Sequence, residues 1–458
     1  MDDGVMLQLL VDMFDKILSH ITDPASLARL ASTCKFWRNI IKGRTFLDCL
    51  RKHRHDHGFT PSLLLGFFYQ DSSESTPQLC QHHYSKWRSM APSFMPMSEL
   101  SQSIGSKVGC SALAPAKLCT FIRGLGAELN FYELNFYEPI ASQDGFLALR
   151  HHSTDTDGQA QPDKFCVCNP LTGEIFHIPP IPVASADMYT LLITEDIDRS
   201  KLVSQSFRLV AIRIRTRMLM IVFYCSKAKR WMRFYDTPEL IPDLYAVPSP
   251  AAASHGAIHF LCSNSTNWTD AHIATLHVAV APHVKLSYLE LPLDAKRSKA
   301  PLLANSADGS FLLLLLKGAQ MSLWKHGSDT SSWVLSETIN LASSLPRRVV
   351  QTMNAREKIK LEMFLGKSGA VVLWVDGEGL FVFSLSDGSI RKIGDKRAKK
   401  KYSLCPYEVD WLSCLSMMNL IVDDTLLLDA GRKTIQNRWR KMMARHVKKN
   451  KKHLDGEA

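Results

Sequence analysis

Residues 207–224 read FRLVAIRIRTRMLMIVFY. The first part, Phe207 to Ile214, alternates as a half-buried strand should, with successive side chains on opposite faces. The second, Met218 to Tyr224, is continuously apolar, as a strand buried on both faces would be. Together they predict two adjacent strands and a core on more than one side of a sheet. Nothing between about residue 140 and residue 412 has the long three-and-four periodicity of a crossover helix. A parallel α/β sheet is therefore disfavoured, and an antiparallel all-β body is expected.

Outward from this pair, one short pattern recurs. A small or polar residue, then Gly, then an apolar run occurs at Asp144-Gly145-Phe146-Leu147, His255-Gly256-Ala257-Ile258, Asp308-Gly309-Ser310-Phe311 and Ser368-Gly369-Ala370-Val371. The first gap is about double the later ones, as if one copy had degenerated. Aromatic-bearing strands follow several copies, including Met321-Ser322-Leu323-Trp324 and Leu380-Phe381-Val382-Phe383. Periods of roughly 40–50 residues with a glycine and a tryptophan per unit suit propeller blades. One blade cannot cover its own apolar faces, and closing a ring covers them all. An irregular pair of β-sandwiches is the alternative.

The N-terminus differs in kind. Leu9 to Ile41 read LLVDMFDKILSHITDPASLARLASTCKFWRNII. Leu10, Met13, Phe14, Ile17, Leu18 and Ile21 fall on one helical face. Asp23 and Pro24 end that helix and start the next, as a cap and a first helical residue. Leu27, Leu30, Ala31 and Cys34 carry the apolar face onward into a segment containing Trp37. A unit of about 40 residues has too little interior to stand alone. Its apolar side chains need a surface elsewhere in the chain or on a partner, and a helical cap on the larger domain would suffice.

The hinge Pro24-Ala25-Ser26-Leu27-Ala28-Arg29 and the close Cys34-Lys35-Phe36-Trp37-Arg38 resemble an F-box. The resemblance implies docking on the Skp-type adaptor of a cullin ubiquitin ligase, through Leu10, Phe14, Ile17, Leu18, Pro24, Leu27, Leu30, Cys34 and Trp37. The family pattern opens on Leu-Pro, where this chain has Leu10-Val11. In the body, Phe165-Cys166-Val167-Cys168-Asn169-Pro170-Leu171-Thr172-Gly173-Glu174 looks like the Asn-Pro-x-Thr-Gly strand–turn–strand of plant F-box-associated propeller domains. Gly256 to Leu261 and Tyr407-Glu408-Val409-Asp410-Trp411-Leu412 fit the same group in the same order.

Composition sets the outer limits. The chain has 458 residues, an apolar share of 46% and a formal net charge of +11. Its longest aliphatic run, Leu312 to Leu316, is far below the ~20 residues of a spanning helix. The Met-Asp-Asp start lacks the basic region of a secretory signal. The 11 cysteines form no framework and are expected as reduced thiols in nucleus or cytoplasm. Basicity is local: Lys396 to Lys401 hold five basic residues and Arg432 to Lys452 ten more, which together exceed the whole surplus.

Enzyme signatures fail on their own terms. Gly366-Lys367-Ser368 resembles the end of a phosphate-binding loop, but the first required glycine falls on Leu361. No His-Glu-x-x-His or Gly-x-Ser-x-Gly is present. Cys166 and Cys168 share a strand face without forming a redox or zinc pair. His53, His55, His57, Cys80, His82 and His83 are irregularly spaced and read as solvated linker and loop. His151-His152, beside Asp155 and Asp157, reads as a long exposed turn. No metal, cofactor or catalytic residue is expected.

The tail is the last feature. Ile435, Trp439, Met442, Met443 and Val447 recur at helical spacing among basic residues. Such a helix could meet an acidic protein face, nucleic-acid phosphates or anionic lipid, or pack its Trp439 stripe on the body. Lys448, Lys449, Lys451 and Lys452 could serve as an import address or phosphate contact.

The expectation is thus an α+β multidomain chain. A helical F-box (8–50) and a basic linker (51–62) precede an all-β antiparallel propeller-like domain (63–420) and a basic helical tail (421–458). The implied role is non-catalytic: substrate recognition in a Skp–cullin–F-box ligase, with an unknown protein target and no membrane. The alternative is an interaction protein working through the propeller or the tail, with nucleic acid as a less favoured partner.

Overall fold

A computed structural model of the chain describes Met13, Phe14, Lys16, Ile17, Leu18, His20, Ile21, Leu27, Leu30, Trp37, Ile40, Ile41 and Phe46 near the N-terminus. Between Leu63 and Val409 it describes the strands given below with the connecting residues next to them. The residues beyond 409, including the sequence-predicted tail helix, and the linker 51–62 lie outside the described residues.

Among the described residues, twenty-four strands fall into six antiparallel sheets. The chain starts the ring with β1 (Leu64–Asp71) and β2 (Ser93–Pro96). Blade 1 follows: β3 (Tyr137–Gln143), β4 (Phe146–His151), β5 (Lys164–Asn169) and β6 (Glu174–Ile178). Blade 2 is β7 (Met188–Asp196), β8 (Ser204–Arg215), β9 (Met218–Cys225) and β10 (Arg230–Asp236). Blade 3 has a split inner strand, β11 (Tyr245–Ala246) and β12 (Ala252–Ser254), then β13 (Ala257–Ser263), β14 (Ala271–His277) and β15 (Lys285–Glu290). A helical turn, α1 (Leu293–Lys296), leads to blade 4: β16 (Leu302–Asn305), β17 (Phe311–Lys317), β18 (Gln320–His326) and β19 (Trp333–Asn340). Blade 5 is β20 (Ile359–Leu365), β21 (Ala370–Val375), β22 (Gly379–Ser384) and β23 (Ile390–Asp395). Last comes β24 (Tyr402–Glu408), which pairs back onto β1 and completes blade 6.

The arrangement is a six-bladed β-propeller, in place of the sandwich alternative. Its logic is visible in the core, which is divided into six apolar clusters, one at each interface between neighbouring blades. Phe146, Phe165 and Val167 of blade 1 meet Leu191, Phe207 and Leu209 of blade 2. Val210, Ile212 and Phe223 meet Ile258, Phe260 and Leu276. Leu261 and Ile273 meet Leu303, Leu313 and Leu315. Leu314 and Leu323 meet Val371, Leu373 and Phe383. Val372, Trp374 and Val382 meet Leu64 and Phe67. Leu65, Phe68 and Tyr407 meet Leu147, Leu149 and Cys166, and the ring is closed. Each sheet is covered on both faces, which is why a middle strand such as β21 (AVVLWV) is buried along its whole length.

That geometry corrects the reading of Phe207–Ile214 as half-buried. Leu209, Val210, Ala211 and Ile212 are all buried, since β8 is a middle strand between two other blades. Arg208 and Arg213 made the alternation. Arg208 reaches across to donate to the Val278 carbonyl and lies over the Phe223 ring at 5.8 Å.

The glycine repeat marks the turn between the first two strands of a blade. In blade 1, Asp144 (φ 53°) and Gly145 (φ 85°) both take left-handed backbone. This is the mirror-type turn that suits the twist of a two-residue hairpin. Gly66 has another role. A Cβ there would meet the Met95 carbonyl oxygen at 2.2 Å and the Phe94 ring at 2.6 Å. Gly66→Ala should therefore destabilise the β1–β2 pair by about 1–3 kcal/mol, read as a lower urea midpoint at unchanged slope.

Candidate functional site

The described N-terminal residues divide by exposure. Met13, Phe14, Lys16, Ile17 and Leu18 are helical, as are Leu27, Leu30, Trp37, Ile40, Ile41 and Phe46. Leu18, Leu27, Ile40, Ile41 and Phe46 are buried in the same cluster as Leu63, Leu65, Phe68 and Tyr407 of the ring. Phe14, Ile21, Leu30 and Trp37 pack partly buried against it. Phe14 and Trp37 meet edge to face, with ring centroids 5.0 Å apart. Met13 (52% exposed) and Ile17 (57%), four residues apart, are left in solvent. So the sequence-predicted docking residues separate. Leu18 and Leu27 serve this chain's own core, Ile17 is exposed, and Phe14, Leu30 and Trp37 lie between. Leu10, Pro24 and Cys34 fall outside the described residues.

The propeller has two unlike faces. At one, connections such as 144–145, 170–173, 226–229, 366–369 and 385–389 are short. The chain enters the ring at this face, where the Val409 N–H donates to the Leu63 carbonyl at 3.0 Å. The connections 72–92, 237–244, 264–270 and 341–358 leave from the opposite ends of their strands. The connection 97–136 instead leaves β2 at the short-connection face, where the Met97 N–H donates to the Leu65 carbonyl at 2.9 Å, and crosses to the start of β3. The 264–270 connection carries the polar Asn264 to Thr269 stretch, and 396–401 carries the first basic run.

One polar cluster sits at this long-connection face, between blades 1 and 2. Arg150, at the end of β4, donates through Nε to Glu138 of β3 at 2.6 Å and pairs with it again through its terminal nitrogen. Its guanidinium lies over the Tyr189 ring at 5.1 Å. Burial works against the Arg150 charge, but Glu138 and Tyr189 hold its pKa above the ordinary value. Burial raises the Tyr189 hydroxyl, opposed by Arg150. Next to Arg150, His151 is buried and packs on Tyr137 with centroids 5.0 Å apart, and Asp163 is buried too. The reading of His151 as part of an exposed turn is thereby corrected: its strand end is roofed by Tyr137. His152, Asp155 and Asp157 lie outside the described residues.

Gly366-Lys367-Ser368 turns out to be a clasp. The Ser368 N–H and hydroxyl donate to Oε1 of Glu408 at 2.8 and 2.6 Å, and Lys367 pairs with Asp144. Blades 5, 6 and 1 are thus tied at the short-connection face, and the residues that looked like a phosphate loop hold the last strand of the ring.

Among the described thiols, Cys168, Cys262 and Cys405 are held protonated by their surroundings. Cys166 and Cys168 share a face, as expected, and both are buried. Contact with Cys166, then burial, holds Cys168 well above the ordinary thiol value, and burial pushes Cys262 and Cys405 up to about 12. A thiol so protonated is a poor nucleophile. No group of three or more metal-ligating side chains occurs among the described residues. His53, His55, His57, Cys80, His82 and His83 lie outside them, as do Lys448, Lys449, Lys451 and Lys452. No helix among the described residues is long and apolar enough to cross a membrane.

A histidine that sequence reasoning passed over sits half-buried between blades 3 and 4. His259 of β13 stacks on Phe311 at 4.2 Å, and its Nδ1 lies 2.9 Å from Thr275 Oγ1. Burial, aided by the nearby His277 and His326, lowers its pKa to about 4. The folded ring then binds fewer protons than the unfolded chain between about pH 6.5 and 4. Stability is full above 6.5 and falls as pH drops toward 4, by up to about 3 kcal/mol. Melting curves should record that loss, and His259→Asn should flatten the slope.

Comparison with known proteins adds a family. No curated protein matches the chain. Among solved structures, a functionally unknown protein from Desulfotomaculum acetoxidans shares 12% identity over 60% of this chain and 76% of its own, with a TM-score of 0.30. The Penicillium chrysogenum alpha-L-arabinanase shares 11% over 60% and 81%, with a TM-score of 0.34. The GH93 alpha-L-arabinofuranosidase of Fusarium graminearum shares 10% over 56% and 78%, with a TM-score of 0.31. Residues 127–421, which take in blades 1 to 5 and the closing strand β24, match a domain of unknown function (DUF7595). With most of its length inside that match, the chain belongs to the DUF7595 family.

Proposed function

We propose that the chain is a non-catalytic substrate-recognition adaptor of a Skp–cullin–F-box ubiquitin ligase. The observation that carries this reading is the sequence motif of hinge followed by close, Pro24-Ala25-Ser26-Leu27 and Cys34-Lys35-Phe36-Trp37-Arg38. Supporting it, Met13 and Ile17 stay exposed on a helix whose other side is engaged by the ring. An apolar pair in water at that position suits a partner surface. The helical residues join the ring through Leu63 at the short-connection face, which leaves the long-connection face for a target protein. In this role the chain makes no covalent bond. It raises the effective concentration of the target near the ubiquitin-loaded enzyme.

A second reading rests on Val11, which replaces the proline of the family pattern, and on the ten basic residues of 432–452. There the chain acts outside a ligase, as an interaction protein that binds through the propeller or the tail, with nucleic acid as one partner class. Co-expression with a Skp-type adaptor and a cullin separates the two. The ligase reading expects both to co-purify with the full chain, and both to be absent from Met13→Glu/Ile17→Glu preparations that retain other captured proteins. Capture of the remaining proteins without adaptor or cullin in either preparation would favour the second reading.

A further inference from the structure

The outer strand of each blade is an edge, with backbone groups free to pair with another chain unless something prevents it. Most edges here are blunted. β2 is four residues long and ends at Pro96, and β6 is five residues long and runs into Pro179-Pro180. β10 carries Arg230 and Arg233, β15 carries Lys285, and β23 carries Arg391 and Lys392. β19 has neither a proline nor a base, and its one irregularity is a bulge at Ser336, where Trp324 pairs with Leu335 and Leu323 with Glu337. It is eight residues long and bears one charge, Glu337. Val334 is 58% and Leu335 48% exposed. Among the described residues no strand pairs with its outer side. Its start is fixed, because Trp333 Nε1 donates to the Glu290 carbonyl of the neighbouring blade at 2.9 Å. Leu293, three residues beyond Glu290, is 78% exposed.

We propose that β19 receives, by strand addition, an extended segment of the polypeptide captured by the propeller. Aliphatic side chains of that segment lie along Val334 and Leu335, and a Lys or Arg meets Glu337. Main-chain hydrogen bonds would supply affinity and the alternate side chains selectivity. A second copy of this chain fits less well. β19 offers no base to answer Glu337, so edge-to-edge pairing would set that carboxylate against apolar or like-charged neighbours. The proposal rests on the target-capture reading and says which strand and which side-chain chemistry do the capturing.

The test uses the full chain and two labelled seven-residue peptides of alternating Val and Thr, one with a central Lys and one with a central Glu. Fluorescence anisotropy should show the Lys peptide binding, and Leu335→Lys should weaken it by about tenfold or more. Glu337→Lys should weaken the Lys peptide and strengthen the Glu peptide, with an unchanged melting temperature. Equal affinities before and after Glu337→Lys, or no binding of either peptide, would overturn the proposal. So would a chain that sediments as a dimer and becomes monomeric in Leu335→Lys, which would make a second copy the occupant. Binding that appears only after residues 432–458 are removed would assign the edge to the chain's own tail and also overturn it. Adaptor co-purification, measured on the same variants, should not change. A failure at the edge is thereby distinct from a failure of the ligase reading.

Discussion

Tyr407→Ala should destabilise the entire ring by about 3–5 kcal/mol, the range for removing a large aromatic side chain from a core. Tyr407 is fully buried on the last strand, edge to face with Phe68 at 5.1 Å and Phe94 at 6.2 Å. Its hydroxyl donates to the Gly145 carbonyl of blade 1 at 2.8 Å. The side chain therefore ties the C-terminal strand to the N-terminal β1 sheet and to the next blade. Tyr407→Phe removes only the hydroxyl and should show about 0.5–1.5 kcal/mol. Glu408→Ala leaves the buried Ser368 N–H and hydroxyl without their acceptor and should fall between the two, at about 1–3 kcal/mol. Urea unfolding followed by tryptophan fluorescence and by circular dichroism should give one shared transition that shifts as a whole. Two transitions, with blades 2 to 4 unmoved, would show that closure is local.

How legible the propeller was can be judged from its turns. Asp144-Gly145 and Ser368-Gly369 mark the first hairpin of blades 1 and 5, and His255-Gly256 and Asp308-Gly309 fall in the corresponding connections of blades 3 and 4. The doubled first gap is blade 2, whose connection 197–203 contains no glycine. Blade 6 could not appear as a period at all, because its strands come from opposite ends of the chain. Pairing of β1 with β24 is a property of ring closure, and no local pattern records it. The same holds for the Glu408–Ser368 clasp, whose partners are separated by a whole blade.

Side-chain roles were harder to read than strands. Periodicity put Phe14, Ile17 and Leu18 on one helical face, and a face can be shared by two surfaces. Leu18 is taken by the ring and Ile17 is not. The cover over His151 and the half-burial of His259 depend on Tyr137 and on Phe311, residues of neighbouring strands that spacing along the chain does not connect. The openness of β19 showed only by contrast with the charged or shortened edges of the other blades.

Docking of the helical residues on a Skp-type adaptor, as proposed, can be measured by titrating purified adaptor into the full chain by calorimetry. One-to-one binding is expected. Met13→Glu/Ile17→Glu should weaken it at least about a hundredfold, since each apolar side chain contributes ~1.5–3 kcal/mol when buried. Both residues are exposed, so the thermal transition of the variant should match the unaltered chain. Val11→Pro should bind as tightly or more so. An unaltered chain that releases no heat with the adaptor, or a double variant that binds undiminished, would rule out adaptor docking through these residues.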